Sequence, residues 1–203
     1  MSLDSDKTIA YYNQHATEYF AETVQVDLGE QRKVFLSVLP PGGQIMDLGC
    51  GSGRDSRYFL EKGFAVDALD ASKELCKLAQ QFTGITVQCC TIQEWEPEKS
   101  YDGIWACASL LHLEREDLKT FFKNCHRFLK KDGVLFVSGK EEIQTGTDEK
   151  ERFFTNFDET LIRELVYDSP RYEMLRLWRT KDGLGRETKW INLLVRNLGS
   201  ILQ

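Results

Sequence analysis

The segment DLGCGSG, residues 47–53, carries three glycines at alternate positions between an apolar run and a helix-like run. Glycine tolerates positive φ angles and has no side chain to obstruct a bound molecule. A helix that begins at such a loop presents free N–H groups and the positive end of its dipole to the same molecule. Three glycines so close together exceed what a tight turn requires, so the segment predicts a site for a nucleotide-like ligand.

The spacing of the loop argues against two common phosphate-binding patterns. A dinucleotide-binding loop needs a small residue at the position that Arg54 occupies here. A P-loop needs glycine and lysine followed by serine or threonine, and no such sequence follows the glycines. The pattern that remains is an acidic residue followed by alternating glycines.

Two acidic residues define which ligand the loop would accept. Asp47 ends the first strand, where a carboxylate would repel a pyrophosphate and suit an ammonium group. Asp70 ends the second strand, a position from which an acidic residue accepts hydrogen bonds from both ribose hydroxyls. Asp70 can also cap the next helix together with Ser72, and the two roles are compatible. S-adenosylmethionine matches this pattern, because it has a ribose, an α-amino group and no phosphate.

The order of elements predicts the scaffold that positions these residues. Helices are expected over 5–20, 28–39, 54–62, 72–82, 114–131 and 158–168, and strands over 44–48, 64–70, 85–90, 101–108, 133–139, 171–180 and 189–197. Alternation of strands and helices is typical of a parallel sheet that is covered on both faces. Gly133 is expected to stop the long helix, and residues 140–156 are expected to be a polar loop. The last two strands are joined by a glycine-containing turn and predict a hairpin. We therefore expect an α/β fold with a Rossmann-like doubly wound sheet of seven strands, mostly parallel with an antiparallel terminal hairpin.

Composition narrows the class of protein. A chain of 203 residues suits one domain, and a net charge of −6 argues against a broad nucleic-acid-binding surface. No apolar run approaches the length of a membrane span, and the N-terminus lacks the pattern of a signal peptide. The six cysteines form no CxxC pair. They predict reduced thiols in a cytoplasmic protein, without a metal site.

Taken together, the motifs resemble those of the class I S-adenosylmethionine-dependent methyltransferases over nearly the whole chain. DLGCGSG resembles the first motif of that family, LDAS the acidic motif of the second strand, YDGIWACASLLHL the fourth-strand motif and GVLFVSG the fifth strand. The terminal hairpin resembles the family's antiparallel final strand. YYNQHATEYF resembles the N-terminal helix of small-molecule members, and GSGRDSRYF is similar to the tellurite-resistance-like branch. The resemblance implies one domain over 1–203, with a helical lid over 1–40 and the sheet core over 41–203.

The resemblance also implies a set of residues that contact the cofactor. Asp47 would orient its amino group, Asp70 would hold its ribose, and Cys107 would supply backbone near its amino-acid part. Arg54 and Asp55 would reach its carboxylate or seal the pocket, unless they lie in a solvated first turn of the helix. The other members of the set would line the cofactor: Tyr19, Gly49, Cys50, Gly51 and Ala71.

The expected adenine contact departs from the family pattern. The family often has an acidic residue after the third strand, whereas this chain has Thr91 followed by Ile92. The resemblance implies that the Thr91 hydroxyl or the Ile92 N–H replaces that acid, and that Ile92 packs against the ring.

Methyl transfer places few demands on catalytic side chains. The reaction is an in-line displacement at a carbon already activated by the sulfonium, so alignment and exclusion of water matter most and a general base is optional. The candidates for such a base are His112, His15 and Glu141. Each has a simpler alternative: a packed histidine, a solvent-facing histidine and a charged loop residue, respectively. Glu141 would favour a cationic or amine acceptor.

The short lid segments, 1–30 and 139–156, favour a small-molecule acceptor over a macromolecule. We therefore expect no nucleic-acid or membrane partner, and a monomer or homodimer. The late arginines, of which Arg186 is one, are expected to be solvated charges.

Two other functions compete with this interpretation. One is a catalytically silent module that binds S-adenosylmethionine or S-adenosylhomocysteine and acts through a partner. The other is a nicotinamide-dependent oxidoreductase, against which Arg54 and the terminal hairpin argue.

Overall fold

The computed structural model describes residues 3–167 and 171–199 of the chain. Its strands are β1 (Gln44–Leu48), β2 (Ala65–Asp70), β3 (Val87–Cys89), β4 (Tyr101–Cys107), β5 (Leu129–Glu141), β6 (Gly146–Thr147), β7 (Phe153–Phe154), β8 (Tyr172–Lys181) and β9 (Lys189–Asn197). Its α-helices are α1 (Leu3–Gln14), α2 (Ala16–Thr23), α3 (Gly29–Leu36), α4 (Arg54–Glu61), α5 (Lys73–Thr83), α6 (Arg115–Cys125) and α7 (Glu159–Ile162). A 3-10 turn at Leu110–His112 follows β4, and a π-helical turn at Arg163–Tyr167 follows α7.

Within the described residues, seven strands form one mixed sheet in the order β3-β2-β1-β4-β5-β9-β8. The first five strands of the chain are parallel to one another, whereas β9 is antiparallel to both β5 and β8. This topology confirms the expected α/β fold and its terminal hairpin. Because β2 lies on one side of β1 and β4 on the other, the loops after these strands border a crevice at their carboxyl ends.

Side chains that alternate along the parallel strands build an apolar core on each face of the sheet. On one face, the ring of Trp105 stacks on that of Phe136 with their centroids 3.9 Å apart, and Phe35 of α3 packs against both. On the other face, Ile104 and Leu135 belong to the cluster that packs beneath α6. The crevice is therefore built on a sheet that is fixed from both sides.

No helix in the described part of the chain is long and apolar enough to cross a membrane.

The long helix is shorter than predicted. The prediction placed it over 114–131, but α6 ends at Cys125. The chain then joins the sheet, where Leu129 pairs with Tyr101 of β4. Gly133 lies inside β5, so it is not the residue that stops the helix.

A single buried amide stabilises the turn between α6 and β5. The Nδ2 atom of Asn197, in β9, lies 3.1 Å from the carbonyl oxygen of His126, 3.2 Å from that of Leu129 and 3.1 Å from that of Lys130. These carbonyl groups follow the end of the helix and have no helical partner of their own. The end of α6 is therefore set by a residue from the far end of the chain.

The segment that was predicted as a polar loop over 140–156 contains β6 and β7. The Phe153 N–H donates to Thr8 Oγ1 of α1 (2.8 Å), and the Thr155 N–H donates to Leu111 O (2.7 Å). The small hairpin is thus attached both to the N-terminal helix and to the turn after β4. It forms an ordered wall of the crevice.

Two other predicted helices also differ in detail. The helix predicted over 5–20 is divided at His15 into α1 and α2. Asn13 Oδ1, near the end of α1, accepts hydrogen bonds from Ser72 Oγ (2.9 Å) and the Glu74 N–H (3.2 Å), which attaches α1 to the start of α5. The helix predicted over 158–168 consists of α7 and the π-helical turn, and residue 168 lies outside the described residues.

We expect the Asn197→Ala variant to lose about 2 kcal/mol of unfolding free energy, because the carbonyl groups that the amide serves would be buried without a donor. Urea denaturation would measure the loss. Asn124→Ala removes an amide that bonds only the Thr120 carbonyl within α6, so it is the matched control and should cost about 0.5 kcal/mol or less. Equal losses in the two variants would contradict the role assigned to Asn197.

Candidate functional site

Two adjoining cavities lie at the carboxyl ends of the parallel strands. The larger cavity, of about 720 Å³, is bounded by the loops after β1 and β4, by the end of β5 and by the β8–β9 hairpin. The smaller cavity, of about 100 Å³, lies beside the loops after β2 and β3. Both cavities are lined by Tyr12, Tyr19, Gly49, Gly51, Ala108 and His112. One ligand can therefore extend through both.

The glycines of the loop adopt left-handed backbone conformations, with φ of 79° at Gly49, 55° at Gly51 and 74° at Gly53. A Cβ at Gly49 would lie 2.4 Å from the Cβ of Ser109, and a Cβ at Gly53 would lie 2.8 Å from Cγ2 of Thr83. These positions require glycine for packing as well as for conformation. The loop therefore presents bare backbone to the cavities.

The carboxylate of Asp70 is held by backbone on both of its oxygens. The Gly51 N–H donates to Oδ2 and the Ser72 N–H donates to Oδ1, each at 2.8 Å. Ser72 Oγ in turn accepts from the Leu75 N–H, which makes Ser72 the N-cap of α5. Each oxygen of Asp70 keeps acceptor capacity, and Asp70 and Ala71 both line the smaller cavity. The arrangement suits a pair of vicinal hydroxyl groups.

Asp47 lies buried beneath the larger cavity and accepts a hydrogen bond from Ser56 Oγ (2.6 Å). Burial, followed by the nearby charge of Asp55, raises the pKa of Asp47 to about 7. A cationic group bound next to it would favour the ionised form. Cys50 and Cys107 line the same cavity, and burial raises the pKa of the Cys107 thiol to about 12. The Cys107 side chain is therefore a neutral thiol rather than a nucleophile.

Asp55 is a buried ionic centre. Burial opposes its ionisation, but the guanidinium groups of Arg54 and Arg32 outweigh burial and lower its pKa to about 2. Arg54 binds it through Nε (3.1 Å) and Nη2 (2.7 Å), Arg32 through Nε (2.7 Å), and Trp105 Nε1 donates to it at 3.0 Å. Arg54 and Asp55 thus do not form a solvated helix turn. Asp55 positions Arg54, which lines the larger cavity with Nη2 4.0 Å from Cys107 Sγ.

Thr91 and Ile92 line the smaller cavity, as expected. The Thr91 hydroxyl already donates to Glu94 Oε2 (2.8 Å) and accepts from the Glu94 N–H (3.3 Å). Its predicted contact with an adenine would have to compete with this local pair. Ile92 packs against the apolar core from the cavity side.

Tyr12, Tyr19 and His112 connect the N-terminal helices to the glycine loop and the small hairpin. The Tyr19 ring packs over Gly51, where an added Cβ would lie 3.2 Å from Cε1, and its centroid lies 5.1 Å from that of Tyr12. His112 Nδ1 lies 2.6 Å from the Phe153 carbonyl oxygen and Nε2 lies 3.0 Å from the Tyr12 hydroxyl. Because a carbonyl only accepts, Nδ1 carries the proton and Nε2 accepts from Tyr12. Burial lowers the pKa of His112 to about 4, so both nitrogens of a neutral imidazole are engaged.

The other two candidate bases lie in different surroundings. His15 lines the larger cavity at the break between α1 and α2, with its ring centroid 4.5 Å from that of Tyr11. Glu141 is buried in a bidentate ion pair with Arg179, with both distances 2.7 Å, and lines neither cavity. Glu141 therefore lies apart from the other two candidates and from both cavities. It gives no reason to expect an amine acceptor.

The far wall of the larger cavity was not predicted from the sequence. It consists of Lys140, Phe154, Trp190 and Asn192. Lys140 Nζ lies 3.7 Å from the centroid of the Phe154 ring. Residues two apart on a strand share a face, which was the signal available for Trp190 and Asn192. The prediction ended the fifth strand at Gly139, one residue before Lys140, and so assigned that side chain to a loop.

A family model described as a methyltransferase domain matches residues 45–133, the part that contains the glycine loop, Asp70 and β4. These residues form a class I S-adenosylmethionine-dependent methyltransferase domain.

Individual proteins that resemble this chain are also methyltransferases or share their fold. The putative methyltransferase YqeM of Bacillus subtilis is 31% identical over 130 residues, which are 61% of this chain and 53% of that protein. The chain thus spans about half the length of this curated relative. The structure of 1,6-didemethyltoxoflavin-N1-methyltransferase from Burkholderia thailandensis has a TM-score of 0.75 at 22% identity, covering 95% of this chain and 86% of that one. TehB from Haemophilus influenzae has a TM-score of 0.68 at 20% identity, covering 92% and 67%. These two similarities show the shared fold.

The residues around the glycine loop fit S-adenosylmethionine, the cofactor of class I methyltransferase domains. Gly49 and Gly51 line both cavities with backbone, and Asp70 offers acceptors for two hydroxyls. Ser109 Oγ, which sequence analysis did not predict, is buried beside the smaller cavity without a hydrogen-bond partner in the described part of the chain. A polar group of the ligand would satisfy it. No cluster of three potential metal ligands occurs among the described residues.

We expect Asp70→Ala to weaken the binding of S-adenosylhomocysteine by more than about tenfold, because two ribose hydroxyls would lose their acceptor. Isothermal titration calorimetry would measure the change. Asp67→Ala is the matched control, since Asp67 lies on the same strand, contacts Tyr101 and Lys99, and lines neither cavity. An unchanged affinity in Asp70→Ala would defeat the ribose assignment.

The buried imidazole of His112 predicts a pH dependence of stability. Its pKa is about 4 in the folded protein and about 6.5 in the unfolded chain, so the unfolded state binds the proton first. Its contribution is complete above pH 6.5 and is lost as the pH falls towards 4. Between pH 7 and pH 5, the unfolding free energy of the wild type should fall by about 2 kcal/mol more than that of His112→Gln. Urea denaturation at the two pH values would measure both falls. A variant that keeps the full wild-type loss would show that this imidazole is not held neutral by burial.

Proposed function

We propose that this protein transfers the methyl group of S-adenosylmethionine to a small-molecule acceptor. The observation that carries the proposal is the larger cavity of about 720 Å³, which begins at the glycine loop and extends to the far wall. A volume of this size is typical of a small-molecule site. Within a single methyltransferase domain over residues 1–203, the helices of residues 1–40 act as the lid.

The cofactor would bind through the residues that surround the glycine loop. Asp70 would accept from the ribose hydroxyls, Asp47 would face the α-amino group, and Ser109 would satisfy a polar atom near the adenosyl part. Arg54 is held in place by Asp55 and would face the carboxylate. Neighbouring opposite charge would favour the ionised form of Asp47, whose pKa of about 7 leaves it partly protonated.

When bound, S-adenosylmethionine supplies a methyl carbon that is activated by the sulfonium and leaves behind a neutral thioether. The chain's own contribution is to hold the acceptor in line with that carbon and to exclude water. The contact of Tyr12 with His112, and of His112 with Phe153, holds α1 and β7 together over the cavities. The Thr8 hydroxyl adds a second link between the same two elements.

His112 would act as a positioning residue rather than as a general base. Both of its nitrogens are engaged, and its pKa of about 4 makes it a weak base at neutral pH. An acceptor with a lone pair available at neutral pH would need no proton removal before the displacement. The alternative of a silent binding module predicts the same cofactor affinity without methyl transfer, so turnover separates the two.

The decisive experiment is a calorimetric titration with S-adenosylmethionine, S-adenosylhomocysteine and NADH, followed by transfer of labelled methyl groups to a small-molecule extract. We expect micromolar binding of both adenosyl compounds, no binding of NADH, and label in a small-molecule product. Binding without transfer to any acceptor would favour the silent module. Binding of NADH alone would overturn the assignment of the glycine loop.

A further inference from the structure

Lys140 occupies a defined place in the larger cavity. It lies two residues after Ser138 on β5, so both side chains are on one face of the strand, and both line the larger cavity. Ser138 pairs in register with Cys107, the residue expected near the amino-acid part of the cofactor. Lys140 is therefore about 7 Å further along the strand, on the far wall, where an acceptor would bind.

Lys140 differs from the arginines of the same cavity in its partners. Arg54, Arg152 and Arg186 each form an ion pair with an aspartate. In the described part of the chain, no carboxylate lies within salt-bridge distance of the Lys140 ammonium group. The ammonium group instead lies over the face of the Phe154 ring, with Nζ 3.7 Å from the ring centroid.

An unpaired, half-buried ammonium group is energetically unfavourable unless something compensates its charge. The electrons of the Phe154 ring offset only part of this cost. Burial lowers the pKa of Lys140 to about 8, and the charges of Arg152 and Arg186 act in the same direction. The carboxylates of Asp148 and Asp182, which pair with those two arginines, act in the opposite direction. The group nevertheless stays mostly protonated at neutral pH. An oxyanion in the cavity would provide the charge-assisted hydrogen bond that the chain itself does not supply.

We propose that the acceptor of this methyltransferase carries a carboxylate or phosphate group, which binds the ammonium group of Lys140 on the far wall of the larger cavity. This inference rests on the proposed function. An anionic acceptor replaces the amine acceptor that Glu141 suggested, because successive side chains of β5 point to opposite faces of the sheet. Lys140 lines the cavity, whereas Glu141 lies on the other face and is neutralised by Arg179. The anionic group would fix one end of the acceptor and leave the other directed towards the glycine loop.

The first test is calorimetry on protein saturated with S-adenosylhomocysteine, so that the site of the cofactor carboxylate is filled. The probes are inorganic phosphate and acetate, with acetamide as the neutral analogue. We expect millimolar binding of the two anions, no binding of acetamide, and an affinity about tenfold lower in Lys140→Gln. Lys140→Arg should restore most of the affinity, because it keeps the charge. A purely structural contact with Phe154 would leave anion affinity unchanged in Lys140→Gln.

Lys131→Gln is the matched control, since it removes the same charge from an exposed position near the start of β5. Its affinity for the anions should equal that of the wild type. Absence of anion binding in the wild type, or equal losses in Lys131→Gln and Lys140→Gln, would overturn the inference. Failure of S-adenosylhomocysteine to bind at all would instead overturn the proposed function, and this inference with it.

The second test uses the acceptor itself. A small-molecule extract is separated by anion exchange into retained and unretained fractions, and each is incubated with the protein and labelled S-adenosylmethionine. We expect transfer in the retained fraction only, and a KM for that fraction raised about tenfold in Lys140→Gln with kcat changed less. Transfer confined to the unretained fraction would overturn the anionic acceptor while leaving methyl transfer established.

Discussion

The ionic centre at Asp55 is the interaction on which the geometry of the site depends. Its carboxylate joins Arg32 of α3, Arg54 at the start of α4 and Trp105 of β4, so three elements beneath the glycine loop meet at one group. Removing one partner from a buried ion pair leaves an uncompensated charge, which is far more costly than losing an exposed pair. The centre therefore fixes where α4 begins, and with it the position of the loop and of Arg54.

The two buried aspartates near the loop differ because their partners differ. Asp55 has two guanidinium groups and a pKa of about 2, whereas Asp47 has a serine hydroxyl, lies near the charge of Asp55 and has a pKa of about 7. Asp55 is saturated by the protein itself. Among the described residues, Asp47 forms no ion pair, and a ligand ammonium group is the partner that its position suits. The difference in partners thus gives Asp55 a structural role and leaves Asp47 suited to binding.

Much of the site could be predicted from local sequence, because its chemistry depends on spacing. Asp47 and Asp70 lie near the ends of adjacent strands, and the alternating glycines follow the first of these strands. The carboxyl ends of parallel strands border one crevice. The family resemblance, rather than spacing, implied that Ala71, Thr91 and Ile92 contact the cofactor, and all three line the smaller cavity. The pairing of the Thr91 hydroxyl with Glu94 could not be predicted, because a threonine suits a local capping pair and a ligand contact equally well.

What could not be predicted depends on contacts between distant parts of the chain. The apolar pattern after Cys125 suits a longer helix, and only Asn197 of β9 and the pairing with β4 turn that segment into a strand. Likewise, β5 continues past Gly139 because Lys140 pairs with Trp190 of the terminal hairpin. Local sequence contains no sign of either partner.

The two ends of the crevice carry opposite charge preferences. The cofactor end is bordered by Asp47 and Asp70, which suit a molecule with a sulfonium and an ammonium group. At the far wall, Lys140 lines the cavity, and no carboxylate of the described residues lies within salt-bridge distance of its ammonium group. An anionic acceptor that bound in reverse would bring its charge towards Asp47 and Asp70, and like charges repel most strongly where water is excluded. On the proposed function, the charge distribution therefore orients the acceptor before any side chain needs to act on the reacting atoms. This agrees with a site in which His112 already uses both of its nitrogens in hydrogen bonds to Tyr12 and Phe153.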